Sequence, residues 1–376
     1  MRKVIVTCNI GIIVMKYCYN VISVIIMTSI SFAIQTQFPQ KMIISTIVAD
    51  LREQPQPVPA HITLPASPTD NPLQTSQLLL GEYIIAHETT IDKEGNTWLR
   101  VDALQQKMYN EVDGWQGYPG WIQANQALEV SSFPIYNLVV KNLLAPIFDS
   151  HNNQLYQISI GTRLQGIKES SSDYWLITLP DNTQAYIHNN DVNELYENWD
   201  ISENNLRDTI VQQAKKFLGS DYSWGGRSAQ NNTLPISSVD CSATVHLSYL
   251  TQGLQIPRMS HEQFLAAQEI EYGKDLQPGD LIMFSTIPDL RRANLKHIDH
   301  VMLYIGNDML LESTMAGNKN VRIISCKQRF GNSIYDIASG DISNTSDYQF
   351  YIYFASYLHN PELIMQLREN ANRHIS

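Results

Sequence analysis

The hydrophobic period of this chain changes near Leu206, and that change limits what the chain can fold into. From residue 42 up to that point, apolar residues come in runs too short for helices. Ile43-Ile44, Gln77-Leu78-Leu79-Leu80, Tyr83-Ile84-Ile85 and Trp98-Leu99-Arg100-Val101 form one group. Leu138-Val139-Val140, Ile158-Ser159-Ile160, Tyr174-Trp175-Leu176-Ile177 and Ala185-Tyr186-Ile187 form a second. Short runs bounded by turn residues read as strands. Past the change, Leu206, Ile210, Val211, Ala214, Phe217 and Leu218 share one helical face, and Gly219 is a stop signal. A second helix starts near Cys241 and carries Ala243, Val245, Leu247 and Leu250. Strands return over 281–284, after Pro278-Gly279-Asp280, and again over 300–305, 308–313, 321–325 and 350–355. Residues 362–372 predict a closing helix. Two turn-dense β units followed by helices and then strands predict two small barrels and an α+β domain. A chain of 376 residues is long enough for this.

Between the first strands lie Pro55, Pro57, Pro59, Pro65, Pro68 and Pro72, which predict one long, extended, solvent-exposed loop. The N-terminus has the layout of an export signal. Arg2, Lys3 and Lys16 are followed by an apolar core over 21–30, and Ser31-Phe32-Ala33 fits a cleavage site. An uncleaved anchor is the alternative, because residues 17–40 carry no charge and are long enough to span a bilayer. Of the four cysteines, Cys8 and Cys18 lie in this segment. Cys241 and Cys326 either pair as a disulfide, which blocks Cys241, or remain free, with Cys326 a packed thiol. The net charge of −11 speaks against nucleic acid as a partner.

The chemistry concentrates in the last domain. Tyr222-Ser223-Trp224-Gly225-Gly226 leads into Asp240-Cys241-Ser242 at a predicted helix start, and Asp299-His300-Val301 opens a later strand. Peptide dipoles and free N–H groups at a helix N-terminus favour a thiolate, and a histidine within reach completes a nucleophile–base pair. Period two places His300 on the strand face of Met302 and Tyr304, predicted to look toward the Cys241 helix. Gly306-Asn307 signals a hairpin, which brings Glu312 back beside His300 as an acceptor for its Nδ1–H. His246 lies about 140° around the helix from Cys241 and faces away. His297, Asp299 and His300 lack an evident further ligand, so no metal or cofactor is expected. Asp240 is either a binding carboxylate or the N-cap of the Cys241 helix, and both roles are compatible. Tyr222 either donates to an oxyanion or packs.

The ordered motifs Tyr-x-Trp-Gly-Gly, Asp-Cys-Ser, Pro-Gly-Asp-Leu-Ile and His-Val-x-x-Tyr-Ile-Gly-Asn resemble the NlpC-type family of papain-like cell-wall peptidases over about residues 205–355. The resemblance implies that Cys241 is the nucleophile and His300 the base, with Glu312 at a third position where the family more usually has histidine or an amide. Val48-Ala49-Asp50-Leu51-Arg52, residues 75–82 and Gly117-Tyr118-Pro119-Gly120-Trp121 are similar to the first bacterial SH3-like domain of the γ-D-glutamyl-L-diamino acid endopeptidase subgroup. That likeness implies a signal peptide over 1–33, SH3-like domains over 42–128 and 134–197, a peptidase domain over 203–358 and a tail over 359–376. It further implies that Tyr118, Asp240, Ser242 and Ser260 bind the substrate, a murein peptide with a free N-terminal L-Ala, in an exported, periplasmic or secreted protein without stable membrane insertion. Two other readings keep the fold: a catalytically silent murein-binding protein, and a general cell-wall amidase or endopeptidase.

Overall fold

The computed structural model describes residues 37–168, 172–195, 202–234, 236–286, 298–343 and 349–372. The expected export segment, with Cys8 and Cys18, lies outside the described residues, as does His297. Among the described residues, no helix is long and apolar enough to cross a membrane.

The described strands form three antiparallel sheets. The first contains β1 (Gln40–Ile44), β2 (Val48–Arg52), β3 (Gln74–Leu79), β4 (Tyr83–Ile91), β5 (Thr97–Asn110), β6 (Gly114–Gln123) and β7 (Ala127–Glu129), in the order β3-β2-β6-β5-β4-β1-β7. Its buried residues include Ile44, Ala49, Leu51, Leu78, Ile84, Trp98, Val101 and Ile122. β5 and β6 outrun the short strands expected. Their hairpin pairs Tyr109 with Trp115, half-exposed rings that meet edge-on at 5.4 Å. Gln105-Gln106-Lys107 interrupts the apolar pattern there, and the register shifts between Ala103 and Lys107.

The second sheet contains β8 (Leu138–Val140), β9 (Leu144–Phe148), β10 (Gln154–Ser159), β11 (Arg163–Lys168), β12 (Tyr174–Thr178), β13 (Gln184–His188) and β14 (Val192–Glu194), in the order β10-β9-β13-β12-β11-β8-β14. It closes over a core of Leu138, Val140, Ile147, Ile158, Leu164, Trp175, Ile177 and Ile187.

The third sheet has the order β15-β20-β16-β17-β18-β19, from β15 (Gln268–Ile270), β16 (Leu281–Ser285), β17 (His300–Gly306), β18 (Met309–Ser313), β19 (Val321–Ser325) and β20 (Tyr351–Ser356). Strands β16, β17, β18 and β20 are buried on both sides, so they read as nearly continuous apolar runs. Leu281, Met283, Val301, Leu303, Leu311, Tyr353 and Ala355 pack with α1 (Glu203–Lys215) and α2 (Cys241–Leu250). The alternate residues Ile282, Met302, Tyr304, Leu310, Ile352 and Phe354 pack with Cys326 and Phe330 of α4 (Cys326–Phe330). Between these helices lies α3 (Ser260–Ala266), and the chain closes with α5 (Pro361–Asn372), whose Leu367 joins the α1–α2 side.

Two expectations are corrected. Leu218 is exposed, because α1 ends at Lys215 and the chain turns out of the helical face before Gly219. The proline-rich loop is not wholly exposed: Ile62 and Ala66 bury with Ile236. Ala66 exchanges backbone hydrogen bonds with the segment ahead of the cysteine, donating to Tyr222 O at 3.1 Å and accepting from Trp224 N at 2.8 Å. Prolines cannot join a ladder, but the residues between them still carry donors and acceptors.

Candidate active site

Cys241 is the first residue of α2, and the turn before it is built by close approach. Gly226 packs against the backbone of Ser238, where an added Cβ would lie 2.5 Å from the carbonyl oxygen, so only glycine fits. Gly226 O accepts from Asp240 N at 3.2 Å. Asp240 is the N-cap, and its Oδ1 accepts from Ala243 N at 2.8 Å. The helix therefore starts where the thiol is, with a capped N-terminus.

Arg258, fully buried, meets that cap. Its Nη1 donates to Asp240 Oδ1 at 3.0 Å and to Ser242 Oγ at 2.8 Å; its Nη2 donates to Asp240 Oδ2 at 2.8 Å and to Gly226 O at 3.2 Å. Its Nε donates to Ser76 Oγ on β3 at 2.9 Å. All five guanidinium donors are used, one of them on the first sheet. Asp240 is thus not an open carboxylate awaiting a cation: both oxygens are already held by Arg258. The Ser242 hydroxyl is likewise spent inside the protein, donating to Asp240 Oδ1 at 3.2 Å. Ser260 Oγ donates to Ile298 O at 2.9 Å and so anchors the segment that leads into His300. Both hydroxyls thus have internal partners. Small hydroxyls beside buried backbone and charge find internal partners first.

His300 opens β17 and is buried. Met302 and Tyr304 pack on the side of the sheet away from α2, so strand parity does not bring the imidazole to Cys241. Its place at the strand end does, at the level where α2 begins, and His300 hydrogen-bonds Cys241 there. The hairpin at Gly306 and Asn307, both with positive φ, returns the chain so that Leu303 pairs with Leu311. Glu312 then becomes a diagonal neighbour of His300 on one face. Its Oε2 lies 3.2 Å from His300 Nε2, not Nδ1 as the sequence suggested. With Nε2 engaged, Nδ1 is the ring nitrogen left for the thiol.

Glu312 is fully buried and surrounded by cations. Arg322, its direct cross-strand partner, donates from Nε and Nη2 to Oε1 at 3.0 and 2.7 Å. Arg329 of α4 donates from Nε to Oε2 at 3.2 Å. Burial alone would raise the Glu312 carboxyl, but His300, Arg329 and Arg322 outweigh it and hold it down at about 2. Burial likewise opposes a charged His300. The negative charge and hydrogen bond of Cys241, then those of Glu312, overcome it and lift the imidazole to about 9.

Tyr222 is buried with its hydroxyl close enough to Cys241 and Asp240 to feel their charge. Burial first, then those anions, raise its phenol far above the ordinary range, so it remains a proton donor. Tyr118 on β6 is pushed up to about 12, mainly by burial; Arg258 opposes this, while Glu262, Asp240 and Glu53 add to it. Cys241, His300, Glu312, Asp240, Tyr222 and Tyr118 therefore share one neighbourhood. His246 does sit away from it: its Nδ1 faces Pro257 O at 3.3 Å and its Nε2 faces Arg227 Nη2 at 3.2 Å. Cys241 and Cys326 are both free thiols, and Cys326 is buried on the far side of the sheet. Arg258, Arg322 and Arg329 went unassigned in the sequence. A buried carboxylate at a helix cap demands a counter-ion, and Pro257-Arg258 two turns beyond α2 was the available signal.

Residues 219–337 match the model of the NlpC/P60 family. Over 260 residues the chain is 29% identical to a gamma-D-glutamyl-L-lysine dipeptidyl-peptidase of Bacillus cereus (strain ATCC 10987), covering 68% of this chain and 71% of that protein. A protein of the same description from Bacillus subtilis (strain 168) is 26% identical over 260 residues, covering 68% and 77%. The crystal structure of an NlpC/P60 family protein from Bacillus cereus ATCC 10987 superimposes with a TM-score of 0.61 at 23% identity, over 85% of this chain and 99% of that one, a likeness of fold. The stretch that matches the NlpC/P60 family model is the one that holds Cys241, His300 and Glu312.

Proposed function

We propose that the protein is a cysteine peptidase that cuts the γ-D-glutamyl–diamino acid bond of murein peptides bearing a free N-terminal L-Ala, releasing L-Ala-D-Glu. The observation that carries this is His300, buried and hydrogen-bonded to both Cys241 at a helix N-terminus and Glu312. In this reading the Cys241 sulfur attacks the γ-carbonyl carbon of D-Glu, and Tyr222 donates to the oxyanion. Protonated His300 gives its proton to the leaving amine, and the thioester forms. Water then attacks the thioester, His300 takes the water's proton, and the C–S bond breaks to release the carboxyl product and restore the thiolate beside protonated His300. Glu312 orients the imidazole and stabilises its charge.

Selectivity for a free amine is supported by the charge around Tyr118. Beside the paired Asp240 and Arg258, the carboxylates of Glu262 and Glu53 also act on its hydroxyl. An ammonium is favoured in that field, and an N-acylated stem forfeits the attraction. The two N-terminal sheets are read as SH3-like domains over 42–128 and 134–197, ahead of a peptidase domain over 203–358. The first of them supplies Tyr118 and narrows the groove. Export of the chain by its N-terminal segment completes the reading.

The test is a pair of substrates, L-Ala-γ-D-Glu-diaminopimelate and its N-acetylated form. Cleavage of the free-amine peptide with at least about a hundredfold preference in kcat/KM is expected. Equal cleavage of both would reject the amine pocket and leave a general wall hydrolase. Binding without cleavage would favour a silent murein-binding protein.

A further inference from the structure

We propose that Arg322 and Arg329 are positioning residues for His300, acting through Glu312; this rests on the reading of His300 as the base. A fully buried carboxylate beside an imidazole has two effects that conflict. It orients the ring, and it holds the ring's proton against release. A base that must first donate to a leaving amine and then accept from water needs the orientation without the full hold.

The geometry around Glu312 separates the two effects. Arg322 stands opposite it in the β18–β19 ladder and takes Oε1 with two donors. Arg329 takes Oε2, the oxygen that also faces His300 Nε2. The carboxylate is pinned at both ends, so the imidazole is pinned with it. Arg329 also lies over the rings of Phe284 at 5.2 Å and Phe350 at 5.4 Å. Phe284 in turn packs on the His300 ring at 5.0 Å. One guanidinium thus braces both the acceptor of the ring's hydrogen bond and the aromatic wall the ring leans on. Two fixed cations against one carboxylate offset its pull on the imidazole proton, while its lone pairs still accept.

Among the described residues, these groups face His300. Cys241 comes from α2, Glu312 from β18, and the uncharged Phe284 from β16. Arg322 of β19 and Arg329 of α4 act across Glu312. The neighbouring Asp299 directs Oδ2 to the Thr286 amide at 2.7 Å and hydroxyl at 2.8 Å.

The experiment reads the His300 titration midpoint directly, by NMR of the full chain with ¹³C-labelled histidine, with the resonance assigned by its loss in His300→Ala. It is paired with kcat and KM for L-Ala-γ-D-Glu-diaminopimelate. Removing both guanidinium charges in Arg322→Gln/Arg329→Gln should raise the midpoint by about one pH unit. It should also lower kcat about tenfold, with KM little changed. Glu312→Gln should move the midpoint down, and Glu312→Gln combined with the two arginine changes should bring it back toward the wild-type value. Arg322→Lys/Arg329→Lys keeps the charges and should leave the midpoint in place, which guards against a folding defect in the glutamine variants. A midpoint that stays fixed when both charges go, or that shifts as much with lysine as with glutamine, overturns the proposal. The NMR readout needs no turnover, so failure of the peptidase reading would show separately, as loss of cleavage by the wild-type protein.

Discussion

His300 and Glu312 tie activity and stability to pH in opposite senses. The imidazole is lifted from its ordinary value of 6.5 to about 9, so its contribution is complete below about pH 6.5 and is lost as pH rises through 9. The carboxyl is lowered from 4.5 to about 2, so its contribution is present above 4.5 and is lost as pH falls through 2. Wild-type protein should therefore lose thermal stability between pH 7 and about 9.5, and His300→Ala should flatten that slope. Equal slopes in scanning calorimetry would show that the imidazole is not charged at neutral pH. The alkaline limb of kcat/KM should likewise fall near pH 9, where the proton for the leaving amine is lost. That Cys241, His300 and Glu312 come together was legible because each sits in a local pattern: a cap before a helix, a strand start, a hairpin turn. The three arginines were not legible. Arg322 and Arg329 lie 10 and 17 residues beyond Glu312, and single arginines on a strand and in a short helix read as solvated surface.

At the scale of elements, the start of α2 is held from three directions: its own cap Asp240, Arg258 from the segment before α3, and Ser76 from β3. Breaking a buried ion pair by removing one partner leaves the other charge uncompensated. Arg258→Met should cost about 3–5 kcal/mol in denaturant unfolding. Ser76→Ala, which removes one hydrogen bond to the same guanidinium, should cost about 1–3 kcal/mol although it lies more than 160 residues from Cys241 in sequence. A loss below about 0.5 kcal/mol for Arg258→Met would mean that the helix start does not depend on the clamp. The strands and helices themselves were largely legible from period, because burial on one or two faces writes itself into the order of apolar residues. The short α3 and α4 were not, since one or two turns cannot show a 3.6-residue repeat.

At the scale of the whole molecule, the first sheet and the segment that leads into Cys241 meet through buried polar groups. The Gln77 amide donates to Ile236 O at 2.6 Å, and its carbonyl accepts from Arg227 N at 2.9 Å and Ser228 Oγ at 2.8 Å. Arg227, itself buried, pairs with Glu82 at 2.7 Å. Separating these surfaces would strip partners from charges that water cannot then reach without opening the core. The two parts should therefore unfold in one transition, followed together by tryptophan fluorescence and by exposure of the Cys326 thiol to an aromatic disulfide reagent. Two separated transitions would show that the sheet is a detachable accessory. This contact was hidden in the sequence, because Gln77 opens an apolar run and reads as its solvent-facing edge.

The most direct test of the central claim is product analysis by mass spectrometry after incubating L-Ala-γ-D-Glu-diaminopimelate with the wild-type protein, Cys241→Ala and His300→Ala. Release of L-Ala-D-Glu and diaminopimelate by the wild type, abolished in Cys241→Ala and reduced at least about a hundredfold in His300→Ala, is the expected result. The same products from Cys241→Ala, with its fold intact, would contradict a thiol mechanism.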